Sequence, residues 1–278
     1  MKELNSQSAY LKNKRKQKIT IILLQFALLI SFIGLWELLG HFGVINTFLV
    51  SKPSSIFILL KEYLVTGEIF KHIKISLIET LLGLIIGTVL GLLIAIVLWW
   101  FPYLYKILDP FLVVINALPK TALAPILIIW AGTGIKGIVV VAISLSLVIT
   151  ILSGYQYFIS VDPNQIKMMK AFKASKFQIL TKLVLPSNVA NIINIIKINI
   201  GMSWVGVIVG EFLVSREGIG YLVVYGGQVF KLDLVMMGVL ILGILALIMY
   251  LLLNFIEKYY RTYRYTRRRR KWKNIYIY

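Results

Sequence analysis

Apolar residues fall in six long blocks, at about 19–39, 76–100, 108–131, 136–157, 189–213 and 234–256, each near the roughly 20 residues a helix needs to cross a bilayer. Six transmembrane helices are predicted. Between the first two, Ser51-Lys52-Pro53-Ser54 caps a short amphipathic segment, Ile56 to Leu64, which Thr66-Gly67-Glu68 ends. Between the fourth and fifth lies a polar insert, 162–186, with Lys167, Lys170, Lys173, Lys176 and Lys182. The insert predicts two short helices. Asp162 is an N-cap before Pro163, and Ser175 to Gln178 has the form of a capping box opening a second helix that Pro186 stops. Phe177, Leu180 and Val184 recur at helical spacing there. That apolar side rests either on the inner leaflet or in a groove of a cytosolic protein.

Composition agrees with a membrane protein: mean hydropathy is +0.86, with 59% hydrophobic and 15% charged residues, against about 25% charged in soluble domains. A net charge of +19 raises nucleic acid as a partner, but the basic residues border the apolar blocks instead of forming a domain. With both termini in the cytoplasm, the inside collects Lys2, Lys12, Lys14, Arg15, Lys16, Lys18, Lys106, the insert lysines and the run from Lys258 to Lys273. The outside keeps Lys52, Lys61, Lys71, Lys74, Lys136, Arg216 and Lys231. By the positive-inside rule both ends are inside, and an even number of crossings follows. The chain divides into a basic tail, 1–18, a transmembrane domain, 19–256, and a second basic tail, 257–278, whose Arg267 to Arg270 cluster suits anionic lipid headgroups.

No cysteine is present, and His41 and His72 lie outside the apolar blocks without ligand spacing, so no metal site is expected. Gly83, Gly87 and Gly91 repeat every fourth residue in the second block, a stripe that lets a neighbouring helix approach closely. The third block holds Asn116, Pro119, Lys120 and Pro125. Two prolines there leave carbonyls without donors, and broken backbone at membrane depth is tolerated only against protein or a water-filled cavity. In the fifth block Asn194, Lys197, Gly201, Trp204, Ile208 and Glu211 step by three or four, with Lys197 and Glu211 about 21 Å apart at 1.5 Å per residue. Charges at such depth face a bundle interior or a water path. Asn116, Lys120, Asn194, Lys197, Trp204 and Glu211 are therefore the candidate path residues. Two plainer readings compete: Lys197 snorkels to the inner headgroups, and Glu211 pairs with Arg216. The segment Gly218 to Leu222 with Tyr225-Gly226-Gly227 reads as an outer re-entrant or interfacial helix.

In this order, Pro53-Ser54, Gly67-Glu68, Ser76-Leu77, Leu82-Gly83, the stretch from Leu118 to Pro125, Trp130, Gly132, Leu185-Pro186, Glu211 and Gly218-Ile219-Gly220-Tyr221-Leu222 carry a resemblance over roughly residues 34–256. The chain resembles the permease subunits of ATP-binding-cassette importers of the nitrate, sulfonate and taurine type. That resemblance implies an all-α, six-helix type I importer bundle like the MetI permease. It also implies a homodimer, two copies of an ATP-hydrolysing subunit carrying ATP and magnesium, and an external solute-binding protein. It further implies contact with the ATPase through Lys167, Ala171, Lys173, Phe177, Leu180, Leu183, Leu185 and Pro186. Two positions depart from the family's cytoplasmic signature: lysine stands at Lys167 for its acidic start and at Lys173 for its glycine. Glu79 stands where the family often has arginine. No phosphate-binding loop of the G-x-x-x-x-G-K-[ST] form is present, so ATP hydrolysis is expected on the partner and no cofactor on this chain. A sulfonate, taurine or nitrate-like anion is the expected cargo. A pyrimidine-type vitamin precursor, an ATP-independent channel or carrier, and a non-transporting scaffold are the alternatives.

Overall fold

A computed structural model describes the backbone of residues 2–275 and the side chains of residues 13–14 and 16–259. The helices are α1 (Lys2–His41), α2 (Thr47–Val50), α3 (Pro53–Thr66), α4 (Glu68–Trp100), α5 (Pro102–Ala117), α6 (Ala124–Ala131), α7 (Ile135–Ile159), α8 (Pro163–Ala171), α9 (Lys176–Ile179), α10 (Leu185–Ser187), α11 (Val189–Val214), α12 (Ile219–Gln228) and α13 (Leu232–Ile275). No strand occurs among the described residues. The chain forms two compact units, one comprising the residues through Thr66 with Gly226–Met237, the other Gly67–Tyr225 with the residues from Gly238 onward.

Among the described residues, five helices are long and apolar enough to cross a membrane: Lys16–His41, Glu68–Trp100, Ile135–Ile159, Val189–Val214 and Leu232–Tyr259. The expected third crossing is not one helix but two. α5 has 16 residues and α6 has 8, about 24 and 12 Å at 1.5 Å per residue, and neither alone covers a hydrocarbon layer of about 30 Å. Pro119 supplies the reason: Leu118, just before it, is extended at φ −62° and ψ 137°, the conformation proline imposes on its predecessor. A turn closed by Ala122 N to Pro119 O at 2.8 Å and Leu123 N to Lys120 O at 3.1 Å leads into α6, with Pro125 in its first turn.

α4 begins at Glu68, upstream of the expected start at Ser76, because the polar residues Lys71, His72 and Lys74 are compatible with continued helix. His72 thus belongs to a membrane-length helix, contrary to its expected place outside the spans.

In the first unit, Trp36 Nε1 donates to the Ser51 carbonyl at 3.2 Å and Ser54 N donates to Glu37 Oε2 at 2.9 Å, fixing α1 to the start of α3. Ser51 Oγ also donates to Asp233 Oδ1 at 2.5 Å. The membrane-length part of α1 has none of its most apolar window buried, so its Leu, Ile and Phe side chains are free for lipid.

The other unit is built on α4, α7 and α11. The stripe on α4 faces α7: a Cβ added to Gly83 would stand 2.5 Å from Ala142 Cβ, and one on Gly91 2.5 Å from Thr150 Cβ. Gly87 faces Ser146 equally closely. α11 reaches α7 through a second small-residue pair that the sequence reading missed, Gly206 against Ala142 and Gly210 against Ile138. Asn199 ties the three helices, its Nδ2 donating to Thr88 Oγ1 at 2.9 Å and Thr150 Oγ1 at 2.7 Å.

The helix after Ser175 is not stopped by Pro186. α9 runs into a π-helical turn, Leu180–Val184, and then α10, which contains Pro186. One extra residue in the turn widens the backbone just before the proline, moving aside the carbonyl that its ring would strike.

Candidate functional site

Three groups of residues concentrate the chemistry: the polar insert, the proline break and the buried carboxyls between α4 and α11. The insert is seated on the chain's own core. Ile179, Leu180 and Val184 join Ala95, Leu98, Ile151, Tyr155, Phe158 and Val161 in one buried cluster. Lys176 Nζ donates to the Trp100 carbonyl at 2.5 Å and stands 5.3 Å from the Trp100 ring centroid, a cation–π approach that fixes the start of α9. Asp162 caps α8, accepting from Asn164 N at 2.8 Å, and the capping box of Ser175 and Gln178 is formed.

This seating divides the proposed coupling set. Lys167, Ala171, Lys173 and Phe177 are exposed, whereas Leu180 is 5% exposed and Leu183, Leu185 and Pro186 are half-buried. Leu180 therefore faces the chain's interior rather than an outside groove, because α9 and the π turn pack their apolar side into the cluster with Leu98 of α4 and Phe158 of α7. Phe172 at 80%, Phe177 at 64% and Met168 at 54% exposure form the apolar part of the free surface, among the lysines. Phe172 escaped the sequence reading, which followed the spacing of the second insert helix. Lys173 adopts φ +56°, in the left-handed region where the family signature places glycine.

At the proline break, Lys120 folds back on its own helix end. Its Nζ donates to the Asn116 carbonyl at 3.0 Å and approaches Asn116 Oδ1 at 3.4 Å, satisfying a carbonyl orphaned where α5 stops. Asn116 is exposed and Lys120 half-buried.

The expected polar face of α11 does not form one surface. Asn194 and Gly201 are exposed, but Trp204 is 4% and Glu211 1% exposed. Residues repeating every 3.5 positions drift around a straight helix by about 20° per heptad, and α11 is packed against both α4 and α7. Lys197 is paired: its Nζ lies 2.5 Å from Glu257 Oε2 and 2.5 Å from Asn254 Oδ1, both on α13, and 5.5 Å from the Tyr250 centroid.

Glu211 is not paired with Arg216. It accepts from Ser76 Oγ at 2.5 Å and from Gly220 N at 2.5 Å, and touches the carboxyl of Glu79, itself 1% exposed. Ser76 Oγ in turn accepts from Ile219 N at 2.8 Å. Gly218, at φ +110°, packs so closely on the Glu211 carboxyl that any Cβ would overlap it. Gly218 N also donates to His72 Nδ1 at 3.0 Å, and the His72 ring stacks on Tyr221 at 6.1 Å. The glycine-rich segment is thus a clasp over Glu211 that fixes the N-terminal part of α4 to the C-terminal end of α11.

A bundle of membrane-length helices with a glycine-packed core, a broken crossing and a lysine-rich insert is a polytopic membrane protein, and its family makes it a transport subunit rather than an enzyme. The chain belongs to the family of binding-protein-dependent transport system inner membrane components, whose model matches residues 87–262. It is 26% identical over 245 residues to an aliphatic sulfonates transport permease of Bacillus subtilis (strain 168), covering 88% of this chain and 85% of that one. It is 24% identical to the taurine transport system permease of Escherichia coli (strain K12), covering 69% and 70%. A chain of the MetNI methionine ABC transporter, solved in inward-facing conformations, shares the fold at TM-score 0.58 and 15% identity, covering 71% of this chain and 96% of that one. As a member of this family the chain operates with an ATP-binding subunit and a solute-binding protein.

Proposed function

We propose that the chain is the permease of an ATP-driven importer for a small sulfonate-type anion, with taurine and nitrate-like anions in the same class. The substrate reading is supported by the two relatives described as sulfonate and taurine permeases. Lys197 lends it no support, because its charge is met by Glu257. In this reading two copies of the chain form the pathway and bind two ATPase subunits. The termini and the insert face the cytoplasm, in keeping with the distribution of basic residues. ATP and magnesium stay on the partner, and this chain carries neither.

The observation that carries the coupling role is the insert: Phe172, just after α8, and Phe177, on α9, are exposed, while the other side of α9 and the π turn is anchored in the transmembrane core through Ile179, Leu180 and Val184. Closure of the ATPase pair would push on that surface, and the anchored helix would transmit the movement toward α11. The test is uptake of labelled taurine and ethanesulfonate by proteoliposomes holding the chain, its ATPase and its binding protein. Uptake that needs ATP and both partners is expected. Uptake by the purified chain alone would overturn the importer reading in favour of a channel or carrier.

A further inference from the structure

Two carboxyls meet inside the bundle with no cation between them. Glu79 of α4 and Glu211 of α11 are each 1% exposed, and their carboxyl groups are in hydrogen-bond contact. Neither belongs to an ion pair among the described residues, where Lys71 pairs with Glu217 and Lys197 with Glu257. Two ionised carboxylates do not touch at such depth, because like charges out of water repel and lack the solvation that would offset them. One proton therefore lies between them.

The hydrogen bonds place that proton. Glu211 accepts from Ser76 Oγ through Oε1 and from Gly220 N through Oε2, so both of its oxygens act as acceptors, as in an ionised carboxylate. Glu79 Oε2 has no partner, which suits the carbonyl oxygen of a neutral carboxyl far better than a buried anionic oxygen. The other ionisable groups nearby are engaged elsewhere or exposed. α7 brings Ile135 and Ile138, and its Lys136 is exposed. After α11, Arg216 is exposed and Glu217 is held by Lys71. α12 brings Tyr221, stacked on His72 of α4, whose Nδ1 accepts from Gly218 N at 3.0 Å.

We propose that Glu79 and Glu211 share one proton, carried by Glu79 and donated to Glu211, and that this proton bolts the glycine clasp joining α4 to α11. Loss of the proton to solvent leaves two charges in contact, which part and release Gly218 to Leu222. The clasp thus opens as pH rises. His72 acts in the opposite sense, since a proton on Nδ1 at acid pH removes the acceptor for Gly218 N.

The experiment is hydrogen exchange of the Ile219 and Gly220 amides, read by mass spectrometry on the purified full chain in lipid nanodiscs. It runs from about pH 5 to about pH 9, with each value corrected for the intrinsic exchange rate. Above the release point, wild-type protection should fall about tenfold per pH unit, the slope for loss of one proton. Glu79→Gln supplies an N–H donor that is not lost at alkaline pH, and it should keep its protection there. Glu211→Gln removes an acceptor oxygen beneath Ser76 and Gly220 and should lower protection at every pH. In the wild type, the infrared C=O band of one protonated carboxyl should be present at neutral pH and disappear over the range in which protection falls; Glu79→Gln should lack it. Flat wild-type protection at alkaline pH, the same alkaline loss in Glu79→Gln, or absence of the band at neutral pH would overturn the shared proton. If Glu79→Gln does not fold, the wild-type exchange profile and the titration of its band decide alone.

Discussion

Lys197 of α11 and Glu257 of α13 form an ion pair at 2.5 Å, with side chains only 16% and 12% exposed, and Asn254 closes the lysine's hydrogen bonding. A charge placed among apolar helices thus joins two of them. Removing one member strands the other, which costs roughly 3 kcal/mol or more for buried pairs. Lys197→Met should lower thermal stability in detergent, and the double variant Lys197→Met with Glu257→Gln should recover most of the loss. Thermal unfolding of the four combinations gives the coupling directly. Independent effects of the two substitutions would refute the pairing.

Phe177 and Leu180 are separated by three positions yet have opposite environments, the first 64% and the second 5% exposed. Phe177→Asp should yield a folded chain that no longer co-purifies with its ATPase. Leu180→Asp places a carboxylate in the cluster with Phe158 and Val184 and should yield little monodisperse protein. Size-exclusion profiles and pull-down of the ATPase separate the two outcomes.

Gly87→Leu would drive a side chain into Ser146 across the α4–α7 contact, with a penalty of about 1–3 kcal/mol from overpacking. Gly201→Ala, where an added Cβ meets nothing within 4 Å, should leave stability unchanged or raise it slightly. Unfolding midpoints of the two variants should therefore differ in size and in sign. Equal effects would mean that the stripe is not a packing contact.

Topology is open to labelling, because the wild-type chain has no cysteine. A cysteine replacing the exposed Ser175 should react with a membrane-impermeant maleimide only after the cells are permeabilised. A cysteine replacing Thr133, in the turn between α6 and α7, should react in intact cells. Reaction of the Ser175 substitute in intact cells would invert the proposed orientation and remove the ATPase contact.

Hydrophobic blocks and glycine spacing made most of the bundle legible, because helix length and close helix contact are written locally. Pro119 likewise marked the break between α5 and α6 in advance. What stayed hidden depended on partners distant in sequence. Nothing local to Lys197 points to Glu257, and nothing local to Glu211 says that Gly218 and Gly220 will fold over it. The spacing on α11 suggested a path-facing stripe, but drift and packing on two sides placed Trp204 and Glu211 inside. In the insert, the same apolar period fits a docking face or a core face, and Leu180 proved to be the latter. The cluster at Arg267 to Arg270, expected to meet anionic lipid, lies outside the described side chains.

The π turn from Leu180 to Val184 holds one residue more than an α-helical path would need, between the exposed Phe177 and the start of α11. Leu180 and Val184 of that turn are held in the core beside Ile151 and Phe158, so the extra residue resets the phase of the chain between the exposed Phe177 and the start of α11 without loosening it.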